Sequence, residues 1–101
     1  GLLQSLNLDL AFISSSSWDL ERGMSTPIEN KVMVKQTLLE VARRRILVSD
    51  SSKYGKYGMF RICPLQALTD IISDASLADE TAEKIRSLGL QLTLVNPPGT
   101  Q

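Results

Sequence analysis

Short aliphatic runs that do not alternate regularly with polar residues constrain this chain more than any other feature. Such runs lie at residues 8–13, 46–48 and 70–72, and this pattern is typical of strands buried on both faces. Residues 90–95 add a strand with alternating leucines, and helical segments are predicted at 28–45 and from Ser76 or Asp79 to Leu88. The alternation of strands and helices predicts an α/β fold of three layers around a mostly parallel sheet.

The helix predicted at 28–45 has the clearest signals at its ends. Thr26 is suited to the N-cap, Pro27 to the first helical position, and Glu29 completes a capping box with Thr26. The run Arg43–Arg45 would fill the last turn, where cations favour the helix dipole. We therefore expect one long helix packed on the sheet.

The remaining residues are expected to form connections and chain ends. A loop is predicted at 18–27, a polar loop at 50–58, a short extended piece at 59–62 and a brief helix at 64–68. Residues 1–95 are expected to form one domain that begins with the end of a helix at 1–6, and residues 96–101 a disordered tail.

Composition excludes several classes of function. The 101 residues include no histidine and one cysteine, Cys63, so His-ligated metals, His-dependent catalysis and an internal disulfide are ruled out within this chain. We expect no metal, no cofactor and no catalytic residue. The longest apolar run, Leu10–Ile13, is too short to cross a membrane, and no signal peptide is recognisable, so a cytoplasmic protein is expected.

Charge is balanced overall but unevenly distributed. Eleven basic and eleven acidic residues give a net charge of zero, which argues against a DNA-binding domain. Residues 21–61 carry nine basic and four acidic side chains, whereas both flanking segments are net negative. A positive middle could attract an anion to a cleft, and an ordinary solvated surface explains it equally well.

A few residues could carry chemistry. Lys31 and Lys35 fall inside the apolar arc of the predicted helix, where they either extend to solvent or reach an anion in a cleft. The segment Asp50–Lys53 follows a buried strand, where α/β folds bind ligands, although it also suits a plain turn. Trp18 could stack on a sugar or anchor a loop, and Cys63 reads as a small buried hydrophobe.

These motifs resemble the C-terminal effector-sensing domain of the DeoR family of bacterial sugar-metabolism repressors. The resemblance covers roughly residues 9–74, in the family order and spacing. It is carried by Asp9-Leu-Ala-Phe-Ile13, Gly23-Met-Ser-Thr26, Val34-Lys-Gln36, Ile46-Leu-Val-Ser-Asp-Ser-Ser-Lys-Tyr-Gly55 and Asp70-Ile-Ile-Ser-Asp74.

The resemblance implies a fold related to ribose-5-phosphate isomerase, glucosamine-6-phosphate deaminase and CoA transferases. It also implies a phosphorylated sugar as effector, and operator DNA contacted only through a winged helix-turn-helix that this chain lacks. The residues that match the family pattern, and are expected to bind the ligand, are Asp19, Lys35, Asp50, Ser52 and Lys53.

The sequence departs from the family pattern at four positions. Ser14 and Ser17 replace glycines, Trp18 replaces a small aliphatic residue, and Lys31 stands where glutamate is frequent. The serines put a tight approach of the backbone to a ligand in doubt. The missing glutamate argues against catalysis.

The sequence is compatible with three functions. We expect an effector-binding module of a regulator rather than an enzyme; a sugar-phosphate isomerase or deaminase, with Asp19 or Asp50 as base, and an oligomerisation module are the alternatives. Because half of the sensor sheet is missing, an exposed apolar face is expected unless a second copy covers it, and the protein is expected to be a homo-oligomer. Lys35 and Lys53 are predicted to point into one cleft beside Asp50 and Ser52.

Overall fold

The computed structural model describes residues 7–96, and within them the chain forms seven strands and two α-helices. The predicted helix end at 1–6 and the tail beyond Asn96 lie outside these residues. In chain order, the elements are β1 (Leu8–Ser14), β2 (Ser17–Asp19), β3 (Gly23–Thr26), α1 (Asn30–Val41), β4 (Ala42–Val48), β5 (Phe60–Cys63), β6 (Asp70–Asp74), α2 (Asp79–Ser87) and β7 (Gln91–Val95).

The main sheet is four-stranded and entirely parallel, in the order β1-β4-β6-β7. Leu47 of β4 is in register with Ile13 of β1 and with Ile71 of β6, and Ile71 in turn is in register with Leu92 of β7. The prediction of an α/β fold with a mostly parallel sheet is confirmed. Because all four strands run the same way, their carboxyl ends meet at one edge, which we call the carboxyl edge.

A second, antiparallel sheet of order β2-β3-β5 corrects the prediction of a loop at 18–27. Gly23 makes the turn into β3 with φ of +75°, and its backbone passes so close to Cys63 that a Cβ would lie 2.0 Å from the Cys63 carbonyl oxygen. The reversal of the chain at Gly23 lets Trp18 pair with Met24. Residues 18–27 therefore contain strands because they pair across this sheet, and the hydrophobic periodicity of the sequence does not reveal such pairing.

Helix α1 is shorter at both ends than the helix predicted at 28–45. Thr26 belongs to β3, where it pairs with Phe60, and its hydroxyl accepts a hydrogen bond from the Ile28 amide at 3.2 Å. The residue at the N-cap is Glu29, which makes no capping hydrogen bond through its side chain. The predicted capping box is therefore wrong, because the second sheet keeps Thr26 extended.

The arginine run lies in β4 and not in the last turn of the helix. Arg44 forms an ion pair with Asp70 of β6 at 2.8 Å, and Arg45 donates from Nε to the Ala67 carbonyl at 2.6 Å. Arg44 and Arg45 also pair with Leu10 and Ala11 of β1 in the parallel ladder, which keeps this segment extended. The arginines that follow the helical pattern therefore lie at the start of a strand, β4.

The core lies on one face of the main sheet. It joins Ile13, Leu47 and Ile71 to side chains of both helices and of the second sheet, and its largest fully buried members are Trp18, Met24, Leu47, Leu65, Ile71 and Ile85. Helix α2 follows Ala78 rather than a capping side chain at Ser76 or Asp79, and it ends before Gly89, as predicted. Residues 7–96 therefore build layers on one side of the parallel sheet.

Candidate functional site

The carboxyl edge collects polar side chains from three adjacent strands. Ser14 ends β1, Ser49 and Asp50 follow β4, and Asp74 ends β6. Open α/β sheets bind their ligands in the crevice outside the carboxyl ends of the strands.

Asp50 and Ser52 form one hydrogen-bonded unit. Asp50 begins a 3-10 turn at Ser51–Lys53, and its Oδ1 accepts from the Ser52 amide at 3.0 Å and from the Ser52 hydroxyl. Chiefly through that hydroxyl, the pKa of Asp50 is held below its usual value, so the carboxylate is ionised at neutral pH. An ionised, exposed carboxylate can accept hydrogen bonds from ligand hydroxyls.

Asp74 ties the turn after β4 to the end of β6. Its carboxylate accepts from the Ser51 amide at 2.8 Å, from the Ser51 hydroxyl at 2.7 Å and from the Ser76 amide at 3.0 Å. These bonds, the one from the Ser51 amide first, lower the pKa of Asp74. Asp74 was not among the predicted site residues. It ends a buried strand, just as Asp50 follows one, and this shared position in the sequence could have identified it as a residue of the carboxyl edge.

A cleft of about 290 Å³ opens at this edge and extends over the end of the sheet. It is lined by Val48, Ser49, Asp50, Ile72, Ser73, Asp74, Val95 and Asn96. Ser73 is 3% exposed, and its hydroxyl has no hydrogen-bond partner among the described residues. The cleft lining thus combines apolar side chains with two carboxylates, those of Asp50 and Asp74, and with Ser73, whose buried hydroxyl has no partner among the described residues.

The two predicted lysines belong to different elements, Lys35 to α1 and Lys53 to the turn after β4. Lys35 of α1 donates from Nζ to the Ser14 carbonyl at the end of β1, and partial burial, followed by repulsion from Lys31, lowers the pKa of Lys35. Lys31 itself is exposed. Lys53 ends the turn, is partly buried and forms no ion pair with a described residue. Of the residues predicted to share one cleft, Asp50 lines it, whereas Lys35, Ser52 and Lys53 do not.

Asp19 is buried in a different place, in β2. Its Oδ1 accepts from the Arg22 amide at 2.5 Å, and a hydrogen bond from Tyr57 to Asp19 raises the pKa of that tyrosine. Asp19 lines a separate cavity of about 300 Å³ together with Leu20, Glu21, Tyr54, Gly55, Tyr57 and Lys84. The structure therefore does not bring Asp19 into the cleft with Asp50.

Trp18 links these two regions as a buried anchor. Its side chain is fully buried and meets Tyr54 edge-on, with ring centroids 4.9 Å apart, and its carbonyl accepts from the Gly55 amide at 2.8 Å. A ring in this position cannot stack on a ligand. Trp18 instead holds the chain just after the Asp50 turn against β2.

The serines that replace family glycines fit the structure without strain. No described residue other than glycine has a positive φ, so Ser14 and Ser17 adopt ordinary backbone conformations. Ser17 donates to the Ser25 carbonyl at 3.0 Å, and Ser49 after β4 donates to the Ser15 carbonyl at 2.9 Å. The Ser17 bond lies within the second sheet, whereas the Ser49 bond ties the end of β4 to the connection between β1 and β2.

The described part of the chain offers little for nucleophilic or metal chemistry. Cys63 is buried, and burial raises the pKa of its thiol to about 11, which makes it a poor nucleophile at neutral pH. Between residues 7 and 96, no group of three acidic or thiol side chains is placed to hold a metal ion. Neither described helix has the length and apolar character needed to cross a membrane.

Comparison with known proteins assigns the chain to a family. The model of the DeoR C-terminal sensor domain matches residues 1–75. An uncharacterised HTH-type transcriptional regulator of Haemophilus influenzae is 42% identical over 92% of this chain and 36% of its own length. The HTH-type transcriptional regulator YgbI of Escherichia coli K12 is 41% identical over 90% of this chain and 35% of its own length.

A third relative carries a more specific name. The putative aga operon transcriptional repressor of Escherichia coli O157:H7 is 34% identical over 92% of this chain and 35% of its own length. The chain thus spans about a third of the length of these relatives. The match over residues 1–75 and these identities together show that the chain belongs to the DeoR C-terminal sensor domain family.

Proposed function

We propose that this chain is the effector-sensing part of a DNA-binding transcriptional regulator of sugar metabolism, and that its effector is a phosphorylated sugar. Family membership and the relatives, which are named as transcriptional regulators, support the first part. Operator DNA is contacted by a helix-turn-helix elsewhere in the polypeptide, and the regulator acts as a homo-oligomer in the cytoplasm. The whole sensor folds as a three-layer sheet of the ribose-5-phosphate isomerase type.

The observation that carries the proposal is the fixed turn after β4. Asp74 holds Ser51 through two hydrogen bonds, and Asp50 at the start of this turn lines the cleft, with Ser52 and Lys53 following it in the same turn. A carboxylate with a neighbouring hydroxyl suits sugar hydroxyls, and a lysine without a carboxylate partner suits a phosphate. Lys35 of α1, whose Nζ donates to the Ser14 carbonyl at the end of β1, adds a second positive charge.

The residues that follow this turn contact the second sheet, so a change of the turn on ligand binding can move that sheet. Tyr54 and Gly55, which follow Lys53, are held on Trp18, and Asp19 holds Arg22 and Tyr57 further along the same surface. We assign Asp19 to the effector response through these contacts. A ligand that favours one arrangement of the turn shifts the sensor between two states, and the DNA affinity of the regulator changes with it.

The same geometry supports binding without catalysis. A general base in sugar-phosphate isomerisation needs a pKa near neutrality. The pKa of Asp50 is lowered, which weakens it as a base. Asp19, the other candidate, is buried outside the cleft and already accepts hydrogen bonds. Incubation with phosphorylated sugars should therefore give no isomerised or deaminated product.

A thermal-shift screen of the full-length regulator tests the proposal. Each phosphorylated sugar is paired with the same sugar lacking phosphate, and inorganic phosphate serves as a further control. A cognate effector at 100 times its Kd should add about 2.7 kcal/mol to the free energy of unfolding, and it should change the affinity for operator DNA. If no phosphorylated sugar stabilises the protein, or if the unphosphorylated partner does so equally, the effector class is wrong.

A further inference from the structure

A second cavity, which shares no residue with the cleft at the carboxyl edge, opens on the antiparallel sheet. It has a volume of about 320 Å³ and lies where the residues before and within β3 meet those before and within β5. Two arginines and one glutamate give its lining a net charge of +1, which suits anions better than cations. This arginine cavity is lined by Glu21, Arg22, Ser25, Gly58, Met59 and Arg61.

The two arginines have no carboxylate partner in the described structure. The ion pairs found between residues 7 and 96 involve neither Arg22 nor Arg61. Glu21 forms none either, although it lines the same cavity. Two positive charges in one cavity repel each other, and an anion that binds both would offset this repulsion. The charges of the arginines are therefore available to a ligand.

Both guanidinium groups are positioned by contacts with their surroundings. Arg61 donates from Nε to the Arg22 carbonyl at 3.1 Å. The guanidinium of Arg22 lies over the ring of Tyr57, 4.3 Å from its centroid. A guanidinium presents its N–H groups in a rigid planar fork that matches the oxygens of a carboxylate or phosphate. Because the groups are already placed, less side-chain freedom is lost when an anion binds.

Gly58 keeps the chain before β5 close to β3 at this cavity. Its amide donates to Ser25 Oγ at 2.8 Å, and a Cβ added at position 58 would lie 2.4 Å from the carbonyl carbon of Thr26. Ser25 is itself 3% exposed, and its hydroxyl shares a hydrogen bond with that of Ser17 at 2.7 Å. This wall of the cavity is therefore fixed by backbone packing and hydrogen bonds.

We propose that the arginine cavity is a binding site for a small oxyanion, in which Arg22 and Arg61 together hold the carboxylate or phosphate group of the ligand. Its volume lies at the lower end of the range for small-molecule pockets, roughly 300–1,000 Å³, so a small ligand fits better than a large cofactor. Met59, which is 84% exposed, offers apolar contact to the carbon part of such a ligand. The inference does not depend on the proposed effector.

Calorimetric titration of the full-length regulator with citrate and with inorganic phosphate, at constant ionic strength, tests this proposal. The variants are Arg22→Gln, Arg61→Gln and Glu21→Gln, and the matched control is Arg43→Gln, at an exposed arginine outside the cavity. Thermal unfolding without added anion shows whether each variant is folded. Tighter binding of citrate would support a carboxylate ligand in this site, and tighter binding of phosphate a phosphorylated one.

The substitutions at 22 and 61 should each raise the Kd of the probe about tenfold or more, because they remove charge-assisted hydrogen bonds. Glu21→Gln should lower the Kd, since it removes a negative charge from the lining, and damage to the fold would not have this effect. Arg43→Gln should stay near the wild type. No binding of either probe, or an equal loss in Arg43→Gln, would overturn the proposal.

Lys53→Ala distinguishes this site from the turn after β4. Loss of binding in this variant, with binding kept in the Arg22 and Arg61 variants, would place the anion at the turn and overturn the proposal. Binding that depends on both arginines, in a protein that no phosphorylated sugar stabilises, would support this site and contradict only the proposed effector class.

Discussion

At the scale of single residues, Gly23 allows β3 to lie close to the backbone of Cys63 in β5. Gly23→Ala should destabilise strongly for two reasons. A left-handed conformation costs an L-residue about 1–2 kcal/mol, and a Cβ would also overlap the backbone of Cys63, 2.0 Å away. The variant is therefore expected to lose more than this amount in urea denaturation, or to fail to fold.

Gly55→Ala is the matched control for that substitution. Gly55 also has a positive φ, +84°, but a Cβ added there would meet no neighbouring atom within 4 Å. It should lose only the conformational part, about 1–2 kcal/mol. Equal losses in the two variants would show that β3 does not pass as close to β5 as described.

Cys63 should make stability sensitive to alkaline pH. Burial raises the pKa of its thiol to about 11 from 9.0, so the folded state disfavours the thiolate. The resulting stabilisation is complete below pH 9 and is lost as the pH rises from about 9 through 11. In urea denaturation across this range, the free energy of unfolding should fall more steeply for the wild type than for Cys63→Ala. Parallel curves would contradict burial of the thiol.

At the scale of elements, the ion pair between β4 and β6 makes stability depend on acid pH. Arg44 donates to Asp70 and lowers the pKa of Asp70 below its ordinary value. The carboxylate therefore stabilises the folded state above the ordinary aspartate pKa of about 4, and this contribution is lost as the pH falls through the lowered value. Asp70→Asn should flatten the fall in stability in this acid range.

Arg44→Gln provides the matched test, because it removes the same pair from the other strand. It should flatten the acid dependence as well, and the double variant should show little further change. Thermal denaturation between pH 2 and 5 measures all three proteins. Additive effects of the two substitutions would mean that the residues do not act as a pair.

The elements also show what local sequence could and could not predict. Aliphatic runs identified β1, β4 and β6, although β1 and β4 are not buried on both faces in the described structure, where Phe12 is 61% and Val48 40% exposed. The arginines at 43–45 also suited a helix end, and they belong to a strand because Arg44 and Arg45 pair with Leu10 and Ala11 of β1. Strands β2 and β3 were missed for the same reason, since pairing between Trp18 and Met24 depends on the turn at Gly23.

At the scale of the whole molecule, the carboxyl edge was predictable in outline and its contacts were not. A polar segment after a buried strand predicted that Asp50, Ser52 and Lys53 lie at this edge, and topology placed them there. Asp74 holds the turn from a neighbouring strand, and the sequence gives no sign of that bond. The binding roles of Asp19, Lys35 and the Asp50 turn stay predictions, and Asp19 lies in a cavity of its own.

The central claim is that the turn after β4 recognises a phosphorylated sugar, and calorimetric titration of the full-length regulator tests it most directly. The ligand is the phosphorylated sugar that stabilises the protein most, and the proteins are the wild type, Lys53→Ala and Lys56→Ala. Lys56 is an exposed lysine further along the same loop, beyond the turn at Ser51–Lys53, so it controls for general charge. Loss of a charged hydrogen bond should cost Lys53→Ala about 1–3 kcal/mol, a rise in Kd of roughly 5- to 150-fold, with Lys56→Ala near the wild type. An unchanged Kd in Lys53→Ala, or an equal loss in both variants, would contradict the claim.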